Sequence, residues 1–349
     1  MDEADGLDGG LPATTRRAAK HTDRGTACKA GVAAATCGQV AWLVNGLMHD
    51  EQIHDAIIIG GGAGGASCAL WLARLGFAPL LVEAGAQVGG LCLVHPFPDD
   101  WNASLPGHTG PEVAENFAIS LRRAQVPVLL SQPVMAVEPV DGGFAVTIPE
   151  GVMRGRHLVL ATGTRARTLA DTDAETASDR GRPFPGVLVG PGDHIVAQNF
   201  HGRRVAVLGG GDNGFENALY ALGHGAEEVH VYARTIRAQR QFVRRLPSSQ
   251  VMLGEYQVDP RARTVNGRAY DLIMVFYGWE PCVGFARGLG LARSERGFIE
   301  TDMATAQTSC EGVYAVGEVA QRFHPCVVTA MADGVTAAKA IQARIEALS

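Results

Sequence analysis

Apolar residues along the chain gather into short runs that stop at glycine clusters, and the succession occurs twice. The run Ala56-Ile57-Ile58-Ile59 is largely β-branched and ends on a glycine cluster, as a strand buried on both faces does. An Ala/Leu-rich helical stretch then runs to Leu75. A second apolar run, Pro79-Leu80-Leu81-Val82, stops at Glu83. The same order returns about 149 residues later: a strand over Arg204–Leu208, glycines from Gly209 to Gly214, a helix to Leu222, and a strand over Glu228–Tyr232. Strand–helix–strand units of this kind build parallel sheets, so the pattern predicts an α/β protein with two nucleotide-binding domains.

Before Asp55 the pattern is absent. Met1–Thr26 is polar, mixed in charge and aperiodic, the composition of a disordered segment. Arg16-Arg17 resembles a twin-arginine export signal, but the weakly apolar stretch Gly31–Leu47 begins too far downstream and is broken by Gln39 and Asn45. Met48 stands seven residues before Asp55, so an upstream extension of a chain that starts at Met48 accounts for the segment as well.

Composition narrows the function classes. At 349 residues, 46% of them hydrophobic, the chain can bury a large core, and its 44 glycines fit many tight turns. A net charge of −6 with no basic run argues against a nucleic-acid partner. The only lysines are Lys20, Lys29 and Lys339, which leaves Schiff-base chemistry almost without a nucleophile. The seven cysteines (Cys28, Cys37, Cys68, Cys92, Cys282, Cys310 and Cys326) form no C-x-x-C pair and no zinc spacing. An odd count of that kind fits a reduced, cytoplasmic protein, and no metal site is expected. No apolar stretch is long enough for a membrane span.

The two glycine clusters carry the chemistry. Gly60-x-Gly62-x-x-Gly65 follows a strand and opens a helix: Gly60 for the tight turn, Gly62 for close approach of a pyrophosphate, Gly65 for helix–strand contact. Glu83 stands where a carboxylate accepts hydrogen bonds from a ribose diol. Gly209-x-Gly211-x-x-Gly214 repeats the motif, but its following strand leads to Arg234, with Arg237 and Arg240 close behind. Arginine there favours a 2′-phosphate, hence NADPH over NADH. A solvated arginine face is the alternative.

Further residues resemble a known family. Gly89-Gly90-Leu91, Pro106-Gly107, Thr109-Gly110-Pro111, Ala161-Thr162-Gly163, Gly278-x-x-Pro281, Thr308-Ser309 and Gly312-Val313-Tyr314-Ala315 with Gly317 occur in the order found in thioredoxin-reductase-like pyridine-nucleotide flavoproteins. The resemblance spans Asp55 to Ala347. It implies two Rossmann-like, three-layer domains, the NADPH domain inserted in a split FAD domain: 1–50 an extension, 51–167 the first FAD part, 168–280 the NADPH domain, 281–349 the second FAD part. It also implies a homodimer. Gly60, Gly62, Gly65, Glu83, Gly90, Leu91, Ala161, Gly163, Gly317, Glu318 and Val327 would hold FAD. Gly209, Gly211, Gly214, Arg234 and Arg240 would hold NADPH. The family has Asp where this chain has Glu318, one methylene longer. Pro325-Cys326-Val327 opens the helix whose start faces the flavin pyrimidine ring in the family.

One departure matters most. Thioredoxin reductases carry C-x-x-C, and dithiol exchange needs one thiol to attack and one to resolve. Val187–His194, leading toward the second glycine motif, contains no cysteine, and no such pair occurs elsewhere. Cys92 and Cys326 are lone candidates; an inert role as a small buried hydrophobe is the more ordinary reading of each, and Cys68 reads as core. Of the acid–base candidates His95, His108, Asp193, His194 and His324, the last is the best placed, though a structural role is open for each. The expected function is an NADPH-dependent, FAD-containing oxidoreductase passing electrons to an external acceptor, a ferredoxin- or flavodoxin-like protein or a small molecule. The alternatives are a disulfide reductase using Cys92 or Cys326 and a non-catalytic NADPH or redox sensor.

Overall fold

The computed structural model describes residues 52–95, 98–99, 101–169 and 184–348. The expectations for residues 1–50 lie outside them. In chain order the elements are β1 (Ile53–Ile59), α1 (Ala63–Arg74), β2 (Pro79–Val82), α2 (Gly110–Arg123), β3 (Val128–Leu129), β4 (Ala136–Val140), β5 (Gly143–Ile148), β6 (Gly151–Leu160) and β7 (Thr164–Ala166). They continue with β8 (Val187–Val189), α3 (Asp193–Val196), β9 (Arg204–Leu208), α4 (Asp212–Gly223), β10 (Glu228–Ala233), α5 (Arg240–Val243) and β11 (Val251–Leu253). Last come β12 (Val258–Asp259), β13 (Thr264–Val265), β14 (Arg268–Ala269), β15 (Leu272–Val275), β16 (Trp279–Pro281), β17 (Val313–Ala315) and α6 (Val327–Leu348).

Two large sheets hold twelve of these strands, while β12, β13 and β14 form a small sheet and β7 pairs with β16. The first has the order β3-β2-β1-β6-β5-β4, with β17 also on β6; the second is β11-β10-β9-β15-β8. In the first, β3, β2, β1, β6 and β17 run parallel, while β4 and β5 fold back antiparallel. The second is parallel throughout. Strand β17 joins the first sheet only after the whole second sheet has been laid down, so the second is an insertion in the first. The α/β class and the nested pair of Rossmann-like units stand as the sequence suggested.

Burial explains the apolar runs. Ala56–Ile59 and Leu80–Val82 lie at 4% exposure or less, as do Val205–Leu208 and Leu272–Val275. β1 starts at Ile53, three residues earlier than the apolar run indicated, because His54 is itself buried. Small residues line α1 (Gly64, Gly65, Ala66, Ser67, Ala69) and let α6 approach closely. A Cβ on Gly334 would lie 2.3 Å from Gly64 O. The chain passes from one sheet to the other along β7 and back along β16, which pair antiparallel. Among the described residues no helix is long and apolar enough to cross a membrane.

Candidate functional site

The carboxyl ends of β1 and β9 are built alike. A Cβ on Gly60 (φ +107°) would lie 2.4 Å from Ala161 O, and one on Gly65 would lie 1.9 Å from Gly60 O. In the second copy a Cβ on Gly209 (φ +134°) would lie 2.2 Å from Phe276 O, and one on Gly214 would lie 2.5 Å from Gly209 O. In both, the first glycine turns against the residue that follows the neighbouring parallel strand, β6 or β15, and the last seats the helix on that turn. The middle glycines, Gly62 and Gly211, cap α1 and α4 without any side-chain bond. No side chain occupies either cap, which leaves the helix starts available to receive a pyrophosphate.

The strands that follow differ. The Glu83 carboxylate accepts the N–H of Gly61 at 2.6 Å and of Gly85 at 2.7 Å, which fixes it beside the turn with lone pairs left for a diol. After β10 the corresponding group is Arg234, exposed like Arg237 and Arg240. The loop between them folds back over the glycine turn. Gly210 O accepts the N–H of Arg237 at 2.7 Å and of Ala238 at 2.9 Å. The Asp212 carboxylate accepts the Gln239 N–H at 2.7 Å and its side-chain amide at 3.1 Å. Asp212 had not been singled out in the sequence, since a lone acid at a helix start is an ordinary feature.

A second group of residues gathers where the two crossings meet β17. Gly90 (φ +54°) faces Gly62, whose Cα a Cβ there would approach to 3.2 Å, and Leu91 is exposed beside it. Ala161 donates its N–H to Ile59 O at 2.8 Å. Gly163 O accepts the Cys282 N–H at 3.1 Å, and the Thr162 hydroxyl donates to Cys282 O at 2.6 Å, tying the two crossings together. The carboxylate of Glu318 accepts the Thr164 hydroxyl at 2.7 Å, so the longer side chain reaches back to the first crossing. Gly317 (φ +70°) donates its N–H to Asp333 Oδ2 at 3.1 Å. Asp333 Oδ1 is 2.8 Å from Arg322 Nη1, and these side chains are 4% and 2% exposed. Arg322 Nη2 also donates to the carbonyls of Asp302 and Met303. Burial raises the Asp333 carboxyl and the Arg322 charge opposes it. Sequence inspection missed this pair, which no motif announces.

The candidate reactive groups separate by environment. Val327 opens α6; Cys326 precedes it, exposed, its Sγ accepting the Thr329 N–H at 3.5 Å. His324 is exposed and its carbonyl accepts the Thr329 hydroxyl at 2.6 Å. Cys92 is half-buried in the turn Gly90–Val94, and its thiol is pushed up to about 11 by burial first, then by the charges of Asp99 and Glu318. Such a thiol stays protonated at neutral pH. Cys92 and Cys326 are both free thiols, and Cys68 lies in the core. His95 is exposed, and His108 Nδ1 lies 3.4 Å from Pro106 O. Asp193 and His194 are exposed on α3. A Cβ on Gly192 would lie 3.1 Å from His194 Nδ1 and 3.5 Å from Val94 O, so α3 adjoins the turn that carries Cys92. Among the described residues no three His, Cys, Asp or Glu side chains could hold a metal ion.

Comparison with known proteins agrees with this architecture. A family model described as pyridine nucleotide-disulphide oxidoreductase matches residues 54–334. The thioredoxin reductase of Treponema pallidum (strain Nichols) is 26% identical over 320 residues, 85% of this chain and 99% of that protein. The ferredoxin–NADP reductase of Limosilactobacillus fermentum is 31% identical over 298 residues, 77% of this chain and 86% of that protein. The solved thioredoxin reductase of Lactococcus lactis shares the fold, with a TM-score of 0.69 at 24% identity over 83% of this chain and 98% of that one. The chain belongs to the pyridine nucleotide-disulphide oxidoreductase family and is an NAD(P)H-dependent flavoprotein oxidoreductase.

Proposed function

We propose that the protein is an NADPH-dependent, FAD-containing oxidoreductase that delivers electrons to an external acceptor without a redox disulfide. The observation that carries this reading is the duplicated glycine turn, one copy followed by a carboxylate at Glu83 and the other by a guanidinium at Arg234. The first copy suits FAD. Gly60, Gly62 and Gly65 leave the α1 amides free for a pyrophosphate, and Glu83 is held ready for a ribose. Gly90, Leu91, Ala161, Gly163, Gly317 and Glu318 supply the adjoining walls. The second copy suits NADPH, with Gly209, Gly211 and Gly214 at the pyrophosphate and Arg234 and Arg240 at the 2′-phosphate.

A bound flavin supplies the redox chemistry, taking hydride from the nicotinamide and releasing electrons to the acceptor. The chain orients and stabilises. The amino end of α6, from Val327, carries a partial positive charge that stabilises negative charge placed before it. Glu318, held by Thr164, and Asp333, held by Arg322, fix the Gly317 turn. His324, exposed just ahead of α6, is the candidate to exchange the accompanying proton with solvent.

Relatives named as thioredoxin reductase and as ferredoxin–NADP reductase bracket the acceptor. The absence of C-x-x-C counts against thioredoxin, which leaves a ferredoxin- or flavodoxin-like carrier or a small oxidant such as a quinone or oxygen. Cysteines without a C-x-x-C or zinc spacing suit a cytoplasmic protein, and resemblance to the thioredoxin-reductase-like flavoproteins suits a homodimer. An anaerobic NADPH titration followed by flavin absorbance tests the reading. Two electrons per FAD support it; four reveal a cysteine pair and overturn it; no bleaching turns attention to the sensor alternative. Disulfide reduction has one observation in its favour, the capping geometry of Cys326. Retention of turnover by Cys326→Ser removes it.

A further inference from the structure

Strand β10 carries Glu228, His230 and Tyr232 at alternate positions, which a period of two places on one face, and Arg234 follows in step. Tyr270, just beyond β14, lies against them. Tyr232 Oη and Tyr270 Oη are 2.7 Å apart, and Tyr270 Oη is 2.9 Å from His230 Nδ1. His230 Nε2 faces Glu228 Oε1 at 3.6 Å, and Arg268 Nη2 lies 2.5 Å from both Glu228 oxygens. Tyr232, Tyr270 and His230 are 5%, 3% and 5% exposed, while Arg268 reaches the surface. At the other end the Tyr256 ring is 5.6 Å from that of Tyr232, and its side chain is hydrogen-bonded to Tyr277, the residue before Gly278. The charge of Arg234 bears on Tyr256. Four of the chain's six tyrosines therefore belong to one connected array.

Donor and acceptor inventory orients the protons. Both Glu228 oxygens accept from Arg268, so Glu228 presents acceptors only to His230. Burial, the larger influence on His230, favours the neutral ring, which then carries its proton on Nε2 and accepts at Nδ1. Tyr270 must therefore donate to His230, and Tyr232 to Tyr270. A phenol aimed at a neutral imidazole loses an electron more easily than one in water, because its proton has a base waiting and the resulting imidazolium faces a carboxylate.

We propose that Tyr270 is a redox-active tyrosine and that the array from Tyr277 through Tyr256 and Tyr232 to Tyr270 and His230 draws oxidising equivalents away from the nucleotide edge. The oxidant is of the one-electron class, such as the radical products of hydrogen peroxide. It takes one electron from Tyr270 and is itself reduced by one. The O–H bond breaks, its proton forms an N–H bond at His230 Nδ1, and a neutral tyrosyl faces an imidazolium. A thiol- or ascorbate-class reductant returns the electron and His230 returns the proton.

The test uses the full chain, with photogenerated tris(bipyridine)ruthenium(III) as the oxidant and electron paramagnetic resonance on frozen samples. The wild type is expected to give a hydrogen-bonded tyrosyl signal. Tyr270→Phe should lower its yield at least tenfold, His230→Gln should lower it severalfold, and Tyr220→Phe should leave it unchanged. A Tyr270→Phe yield within twofold of wild type overturns the proposal, as does loss of the signal in Tyr220→Phe. If Tyr270→Phe does not fold, His230→Gln decides alone, and an unchanged yield overturns the proposal. Flavin reduction by NADPH in the same samples reads the proposed function separately.

Discussion

Asp333 and Arg322 form an ion pair whose loss should behave asymmetrically. Asp333→Asn keeps an oxygen for the Gly317 N–H but leaves the Arg322 guanidinium, 2% exposed, without a counter-charge. Breaking a buried pair from one side costs about 3–5 kcal/mol. At ~2.1 cal/mol/K per residue over roughly 300 folded residues, 4 kcal/mol lowers the thermal midpoint by about 6 °C. Arg322→Met strands the carboxylate instead. Burial already raises that carboxyl above its ordinary value, and removing the cation raises it further. As pH falls through the folded value the carboxyl takes up a proton and sheds the penalty of a buried charge. The deficit of Arg322→Met should therefore shrink on acidification, whereas that of Asp333→Asn should not, because a guanidinium does not deprotonate. The double variant Asp333→Asn/Arg322→Met, which keeps an oxygen for the Gly317 N–H, should lie closer to wild type than either single one. Differential scanning calorimetry at pH 7.5 and 5.5 reads all four proteins. Equal single-variant deficits at both pH values, or a double variant at the sum of the singles, refute the reasoning.

Other expectations follow from the same geometry. Gly65→Ala drives a methyl against Gly60 O; overpacking of about 1–3 kcal/mol and loss of flavin during purification are expected, and full flavin content would contradict the turn's role. Arg234→Gln removes a charge-assisted contact of about 1.5–3 kcal/mol, so kcat/KM should fall roughly 10- to 150-fold for NADPH and little for NADH; equal losses for both would reassign Arg234 to a solvated face. His54, His157 and His230 all have their pKa lowered from 6.5, in each case by burial above all. The unfolded chain then binds more protons below that pH, so their contribution destabilises the fold progressively as pH drops below about 6.5. Thermal midpoints between pH 8 and 5 check this, and His157→Gln should flatten the fall.

The two glycine turns were legible because backbone geometry admits little else there: a side chain at Gly60 or Gly65 meets a carbonyl. Their strands were legible because a strand buried on both faces reads as an apolar run. Contacts that depend on the finished fold were not. Glu318 and Thr164 lie 154 positions apart, and Arg322 and Asp333 are ordinary surface types until α6 packs on α1. Strands β12, β13 and β14, two residues each, are too short to show any period. Cys92 sits close to the glycine pair Gly89-Gly90, but only the fold reveals the burial and the Asp99 and Glu318 charges that hold it protonated. β10 was legible as a strand, whereas Tyr270, the partner of its Tyr232, is 38 positions away.

The pairing of Val313–Ala315 with Leu158–Leu160 has a consequence for how the protein is made. On the ribosome, the apolar end of β6 emerges roughly 155 residues before the strand that covers it. At about 5–20 residues per second, that edge stays open for some 8–30 seconds. The inserted unit can complete its own sheet in that interval, since all five of its strands precede β17. A chain cut short before Val313 would thus carry a finished nucleotide-binding insert on a host with an exposed sticky edge, a product expected to aggregate. Excising the insert between the paired strands β7 and β16 instead shortens the wait, and the remaining host should fold faster than the parent.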